Sequence, residues 1–285
     1  MWISSARNTI ADLLPGRGTR RLFTRALQAY RRRASRGGAL LFCGLLYLTG
    51  PLQASQQCRP CSEPLQAVER VVDGDTLVLE NGEKVRLIGI NTPELGHWGD
   101  PDEPGARSAR DALERLVHAS GGRLRVCPGS EARDRYGRLL AHLADRQGDD
   151  VVNKLLRAGQ GYVIAFPPNL RSIDCHLASE AQAREAGLGV WHRPVTDARS
   201  LHGDERGFHY LQGRVERVGK SRRSIWLNLT GGLALRIARK DWKYFDFDDP
   251  RALQGRRLEV RGWITRNDHA QQMSVHHPSA IRWLD

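Results

Sequence analysis

Short apolar runs separated by turn residues dominate the chain from Val68 onward. Val68–Val72 is β-branched, Thr76–Leu79 follows Asp73-Gly74-Asp75, and Lys84–Ile90 follows Asn81-Gly82. Asn-Gly between two such runs signals a hairpin, because its tight turn needs positive φ at both centres. These three predicted strands begin a meander. Arg123–Cys127 and Arg138–Ala144 read as two more, with Asp134–Gly137 as the turn between them. Helical spacing replaces alternation at Arg107–Ala119, where Ala109, Ala112, Leu113, Leu116 and Val117 share one side. Val151–Ala158, capped by Asp149 or Asp150 and ended by Gly159, reads as a second helix, and Leu177–Ala186, ended by Gly187, as a third. Five short strands with helices between and after them suit a small Greek-key barrel.

The pattern changes after Gly207. Leu211–Val218, Ser224–Thr230, Leu233–Ala238 and Arg257–Arg266 read as strands, with turns at Gly219–Arg223, Gly231-Gly232 and Asn267-Asp268. A helical turn is expected around Pro250–Leu253, and a fifth strand near Gln272–Val275 would close a second barrel. Trp226, Trp242, Trp263 and Trp283 are expected in its core. The polar, aperiodic segment 194–206 is the expected linker between a domain at 65–193 and one at 207–285.

Charge divides the chain the same way. The formal net charge is +12, but residues 1–55 carry nine arginines against one acid, while 56–198 are slightly acidic and 199–285 again strongly basic. A basic tail domain suits a polyanionic partner, the alternative being a solubilising face. At the start, arginine-rich residues 17–36 precede the apolar run Ala39–Leu48 and the small-residue end Pro51–Ala54. That order is a secretory signal, implying a periplasmic or secreted protein. The run is shorter than the ~20 residues of a comfortable bilayer span. An uncleaved anchor in contact with the membrane, or a start codon placed too far upstream, are the other readings. Of five cysteines, Cys43 would leave with the signal, so Cys58, Cys61, Cys127 and Cys175 remain. Four thiols permit two disulfides in an oxidising compartment, with Cys127–Cys175 the favoured bridge; Cys58-x-x-Cys61 alone is a weak zinc or redox motif.

The chemistry gathers in three places: Asp73-Gly74-Asp75, Arg86–Glu94 and Arg133–Arg138. Arg86 and Arg138 offer planar forks that match phosphate oxygens. Asp75, a backbone carbonyl and an amide oxygen are hard donors suited to calcium. Glu94 can take a proton from water. Each residue alone is ordinary: Asp75 and Asp73 sit in a turn, and Asp100, Asp102 and Glu103 read as a solvated loop. His97, His142, His276 and His277 lack ligand spacing. In combination the three segments read as a phosphodiester-cleaving site.

These segments resemble the staphylococcal-nuclease-like (thermonuclease) family. Arg86–Glu94 is similar to its R-L-x-x-x-D-T-P-E motif, Val72–Thr76 to its V-D-G-D-T, and Asp134–Arg138 to its D-x-Y-G-R. The likeness continues through Val152-Asn153, Gly159 and Ser179–Ala183 to Trp191 and spans roughly residues 65–192. The resemblance implies a mainly β fold with α, namely an oligonucleotide-binding (OB) barrel of five strands plus three helices, followed here by a second, OB-like barrel. It implies a calcium-dependent nuclease that cuts DNA and RNA, endo- and exonucleolytically, to 3′-phosphates. In those terms Asp75, Asn91 and the Thr92 carbonyl would bind calcium, and Glu94 would act on the attacking water. Arg86 and Arg138 would clamp the phosphate, and Arg135 and Tyr136 would hold a terminal phosphate and a sugar or base. Two positions depart from the pattern. Asn91 stands where the family has a second calcium aspartate, which removes one negative charge. The family's pocket tyrosines fall near Ile164 and Phe166, with Tyr162 out of register, so Phe166 would stack on a base without a hydroxyl. A catalytically weak nucleic-acid-binding or assembly module is therefore the competing reading, and a protein-binding or envelope-anchoring role is open for the tail barrel. The chain is expected to be a monomer.

Overall fold

The computed structural model describes residues 62–96, 99–266 and 271–285. The N-terminal signal or anchor, Cys43, Cys58, Cys61, His97 and the Asn267-Asp268 turn lie outside the described residues.

The first barrel closes in the order β1-β2-β3-β6-β5. Its strands are β1 (Leu65–Val71), β2 (Thr76–Leu79), β3 (Lys84–Leu87), β5 (Arg123–Arg133) and β6 (Leu139–Ala144). The predicted β2–β3 hairpin forms with φ 81° at Gly82, but Asn81 lacks positive φ, so the turn is not the two-residue type expected of Asn-Gly: the Leu79 amide donates to the Glu83 carbonyl at 3.0 Å around a longer loop. Leu77, Leu87, Leu124 and Leu143 fill the interior at no more than 1% exposure. Each such burial is worth about 1.5–3 kcal/mol. Helices α1 (Ala106–Ala119), α2 (Val151–Arg157) and α3 (Ile173–Glu185) cover the barrel. Asp150 caps α2, its carboxylate accepting from the Asn153 amide at 3.0 Å.

Two elements differ from expectation. The strand predicted over Lys84–Ile90 ends at Leu87, and Ile90–Asn91 forms a separate strand β4 paired with β7 (Tyr162–Val163). The break falls at Gly89, whose φ of 98° disfavours other residues and whose missing Cβ would lie 2.6 Å from the His176 ring. Helix α3 starts at Ile173, four residues before the predicted start, because its buried face is His176, Ser179, Glu180 and Ala183 rather than an apolar stripe. Cys127 and Cys175 are each disulfide-bonded.

The second barrel is a ring of β9 (Gly207–Lys220), β10 (Ser224–Leu229), β11 (Ala234–Ala238), β13 (Gln271–Ser274) and β12 (Arg257–Arg266), with β12 returning to pair with β9. The β9–β12 register runs unbroken from Gly207↔Ile264 to Arg214↔Arg257. Strands β8 (Thr196–Asp197) and β14 (Ile281–Trp283) extend it at the edges. Residues 196–200 thus differ from a free linker: β8 pairs in parallel with β9, and Ala198 is fully buried in the second core.

Alternation along the β9–β12 ribbon sends Leu211, Val260 and Ile264 into the core and Phe208, Tyr210, Glu259, Arg261 and Trp263 to the opposite face. That face packs on the first barrel. Tyr162 meets Phe208 at 5.4 Å between centroids, Trp191 meets Tyr210 at 5.4 Å, and Phe166 meets Trp263 at 5.9 Å. Arg261 pairs with Glu180 at 2.5 Å, and Arg184 pairs with Glu259. Buried ion pairs add little net stability but are costly to break one partner at a time, so they fix how the barrels dock. Trp263 therefore departs from the expected core position and lies at the rim of this interface, 36% exposed.

Candidate active site

The loop between β1 and β2 presents Asp73 and Asp75. Asp73 Oδ1 accepts from the Asp75 amide at 2.9 Å, which tightens the turn. Gly74 is required there by close approach: a Cβ would fall 2.5 Å from the Ala109 Cβ and 2.7 Å from the Thr92 hydroxyl. The turn is thereby pressed against both α1 and the Thr92 segment.

Asp75 is 1% exposed, and its carboxylate is fully engaged. Oδ2 accepts from the Thr92 amide at 2.9 Å, from the Thr92 hydroxyl at 3.2 Å and from Arg86 Nη2 at 3.0 Å. Oδ1 accepts from the Thr76 hydroxyl at 3.1 Å. Arg86 is equally fixed. Its Nη1 donates to the carbonyls of Leu87 at 2.7 Å and Ile90 at 2.8 Å, and its Nη2 also reaches Asn91 Oδ1 at 3.2 Å. The Leu87 carbonyl at the end of β3 and the Ile90 carbonyl of β4, on either side of the break at Gly89, hold the guanidinium between them. A lysine could not satisfy these acceptors together, since its donors radiate from one atom.

Glu94 follows on the same loop, its amide donating to Glu103 Oε2 at 3.0 Å while the Glu103 amide donates to the Glu94 carbonyl at 2.9 Å. The residue is open to solvent, yet enough protein surrounds its carboxyl group for desolvation to be the largest influence on it. Desolvation, then the charges of Asp75, Asp73 and Glu103, outweigh Arg86 and push Glu94 up to about 7. Burial and the neighbouring Asp75 likewise push Asp73 up to about 6. One buried arginine therefore faces a larger group of carboxylates, an arrangement that a hard cation would relieve. The donor set of carboxylates, Thr92 carbonyl and Asn91 amide suits such an ion chemically. Among the described residues, however, no three His, Cys, Asp or Glu side chains form a closed metal-holding cluster. Asn91 departs from a free amide ligand: Oδ1 accepts from Arg86, and Nδ2 donates to the Thr92 carbonyl at 3.4 Å.

Arg138 lies one residue before β6. Counting back from Leu140, the parallel partner of Arg86, places it on the same outward face as Arg86. Asp134 holds it from below, with Nε donating to Oδ2 at 2.7 Å and the amide donating to Oδ1 at 3.0 Å. Burial pushes Asp134 up, but the bonds from Arg138 and the Tyr136 amide outweigh it and hold the carboxyl below its ordinary range. Tyr136, 68% exposed, takes Arg135 over its ring at 4.7 Å and Arg138 at 5.6 Å. Arg135, Tyr136 and Arg138 thus form one open cluster on a single turn.

The structure joins Asp75, Arg86, Asn91 and Thr92 by direct bonds and adds Glu94 through its charge environment. Phe166 is placed elsewhere, against His276 at 5.2 Å and Trp263 of the second barrel. Asp73 and Glu103, which sequence reasoning assigned to a turn and a solvated loop, belong to the Glu94 environment. No local pattern marks Glu103, whereas Asp73 falls within the Asp-Gly-Asp segment itself.

Known proteins match much of the first barrel and its helices. The family model described as staphylococcal nuclease homologue matches residues 84–193, a range that contains Arg86, Glu94 and Arg138. A thermonuclease of Staphylococcus intermedius is 32% identical over 130 residues, covering 44% of this chain and 75% of that protein. A thermonuclease of Staphylococcus hyicus is 27% identical over 159 residues, covering 54% of this chain and 91% of that protein. The endonuclease YhcR of Bacillus subtilis is 34% identical over 134 residues, which are 44% of this chain and 11% of the much longer relative.

Proposed function

This chain belongs to the family of staphylococcal nuclease homologues, and we propose that it hydrolyses phosphodiester bonds of DNA or RNA at the Asp75–Arg86–Glu94 site, leaving 3′-phosphates. The observation that carries the reading is the preorganised guanidinium of Arg86, locked by two carbonyls and Asp75 beside a carboxyl group poised near neutrality. Preorganised charge of this kind needs no rearrangement as negative charge develops on a phosphate.

Glu94 acts on the attacking water. Its raised proton affinity makes it a stronger base than an ordinary carboxylate. Arg86 and Arg138, on one face of adjacent strands, take the phosphate oxygens. Arg135 and Tyr136 hold the neighbouring phosphate and sugar or base. Calcium would be held by Asp75, the Thr92 carbonyl and Asn91, and when bound it supplies positive charge beside the scissile phosphate. Asn91 would give up its bond to Arg86 to do so, and its amide lacks the charge of an aspartate, which supports weak metal affinity.

The second barrel adds a place for the rest of the strand. A cleft of about 390 Å³ is lined by Arg199, Arg214, Arg257 and Asp197; Asp197 pairs with Arg199 at 2.8 Å, and Arg214 lies directly opposite Arg257 across the β9–β12 pair. Like charges in that register repel unless an anion lies between them. Phosphates of a bound strand meet that need. Export to an oxidising compartment fits the disulfide-bonded Cys127 and Cys175.

The test is incubation of the full chain with single-stranded DNA across a calcium titration and with chelator. Calcium-dependent shortening to 3′-phosphate ends is the expected result. Salt-sensitive binding without cleavage at any calcium level would instead establish the binding-module reading, which the engaged Asn91 amide favours.

A further inference from the structure

Strand β7 is two residues long and pairs only with β4, itself two residues long, in a sheet separate from the barrel. An isolated two-stranded pair is marginal without outside support. Here the support comes from Glu180 of α3 and, behind it, from the second barrel. Val163 is fully buried, and its amide donates to Glu180 Oε1 at 2.6 Å. The same oxygen accepts from Arg261 Nη1 of β12 at 2.5 Å. Arg261 Nη2 is fixed in turn on the Ser279 carbonyl at 2.8 Å. Glu180 and Arg261 are only 6% and 8% exposed, so each is the other's charge compensation. The neighbouring Tyr162 lies against Phe208 and Tyr210 of the second barrel at 5.4 and 5.5 Å between centroids.

Across the short sheet, Val163 is opposite Ile90 and Tyr162 is opposite Asn91. The Ile90 carbonyl accepts from Arg86 Nη1, and Asn91 Oδ1 accepts from Arg86 Nη2. From Arg261 the path therefore runs by hydrogen bonds through Glu180 to Val163, crosses the β4–β7 pair, where the Ile164 amide donates to the Gly89 carbonyl at 3.2 Å, and reaches the guanidinium proposed to clamp the phosphate from Ile90 and Asn91.

We propose that Arg261 is a positioning residue of the nuclease site: by compensating Glu180 and holding it on the Val163 amide, it sets β4–β7 and hence the Arg86 guanidinium. The second barrel is then a structural part of the catalytic unit as well as a holder of substrate. This rests on the nuclease reading above. A chain of contacts becomes coupling only when both ends respond, which paired substitutions measure.

The experiment uses the full chain. Arg261→Met should lower kcat on the order of tenfold to a hundredfold, with KM little changed, because a small misplacement of a catalytic group is enough. The E180Q/R261M pair should recover most of the lost kcat, since glutamine still accepts from the Val163 amide and no charge is left uncompensated. The E180L/R261M pair should recover only part of the thermal stability lost in Arg261→Met and stay slow, because the buried charge is gone but the Val163 amide then has no acceptor. A purely structural role would make kcat follow stability in both pairs. Arg261→Lys, which keeps the charge, should fall between wild type and Arg261→Met and serves if Arg261→Met does not fold. Amide hydrogen exchange, read without substrate, should quicken at residues 86–92 and 160–166 in Arg261→Met and stay unchanged in β5 and β6. Wild-type kcat in Arg261→Met, or in E180L/R261M, would overturn the proposal. Should wild type itself cleave nothing, the nuclease reading falls and the exchange comparison alone decides: faster exchange at those two segments upholds the coupling, unchanged exchange ends it.

Discussion

The two barrels close the same five-strand ring but place their buried polar groups differently. In the first, Asp75, Arg86, Asn91 and Thr92 are buried together where the chain leaves the ring at Gly89. In the second, β9 and β12 run long, and the buried charges Glu259 and Arg261 lie on the face turned toward the first barrel. Ring closure needs only alternating apolar residues, which both segments possess. A site needs charges held out of water by fixed partners, and the broken β3–β4 strand supplies those partners as backbone carbonyls. An unbroken strand keeps its carbonyls in the ladder and has none to spare. The same ring thus carries the proposed site in one barrel and a docking face in the other.

The comparison breaks most sharply at Glu94. Glu94→Gln keeps the shape but cannot take a proton, so kcat should fall on the order of a hundredfold to ten-thousandfold, with the melting temperature nearly unchanged. A cleavage assay beside a thermal melt checks this. Arg86→Lys should cost about a hundredfold in kcat, because one ammonium cannot serve Leu87, Ile90 and Asp75 at once. An equal substitution in the second barrel's Arg214 should leave the chemical step far less affected.

The first barrel should also hold the groups through which pH acts on stability. His142 is buried in it, and burial, with help from His176 and Arg171 and against Asp150, lowers its pKa to about 4. The unfolded chain binds that proton more tightly, so the His142 contribution to stability should decline as pH falls from about 6.5 toward 4, by on the order of 3 kcal/mol. Glu94 and Asp73, pushed up to about 7 and about 6, work in the opposite sense because their folded forms are the tighter proton binders. Denaturant titrations of wild type and His142→Leu at pH 7.5 and 4.5 isolate the His142 share: from the higher to the lower pH the variant should gain stability relative to wild type. Calcium should stabilise wild type by about 2.7 kcal/mol at a hundred times its Kd, read as a rise in melting temperature that Asp75→Asn abolishes. The smallest effect belongs to the second barrel's cleft. Replacing Arg214 and Arg257 by alanine should raise KM for long single-stranded DNA a few-fold and reduce the salt slope of binding by roughly 1.4. An unchanged salt slope would remove the cleft from the substrate path.

Much of this was legible in one dimension. The strand runs, the Asn81-Gly82 hairpin, the capped α2 and the second ring follow from local apolar period and turn chemistry. The clustering of Asp75, Arg86 and Glu94 within 20 positions brought the reactive types into view. What local pattern could not carry were contacts made only when distant segments meet. Helix α3 hides its start because its buried face is polar, satisfied by Asp150, Asn153, Val163 and Arg261 from elsewhere in the chain. Segment 196–200 looks like a linker because its buried part is one alanine.

The amino-acid order alone determined which groups are available and which short elements carry them, since alternation, capping and tight turns are decided by neighbours a few residues apart. Only the tertiary structure decided that Asn91 turns its amide to Arg86, that Asp73 and Glu103 press on Glu94, and that Arg261 reaches Glu180 across 81 positions. Those outcomes depend on barrel closure and docking, which set the local charge balance that no single segment contains.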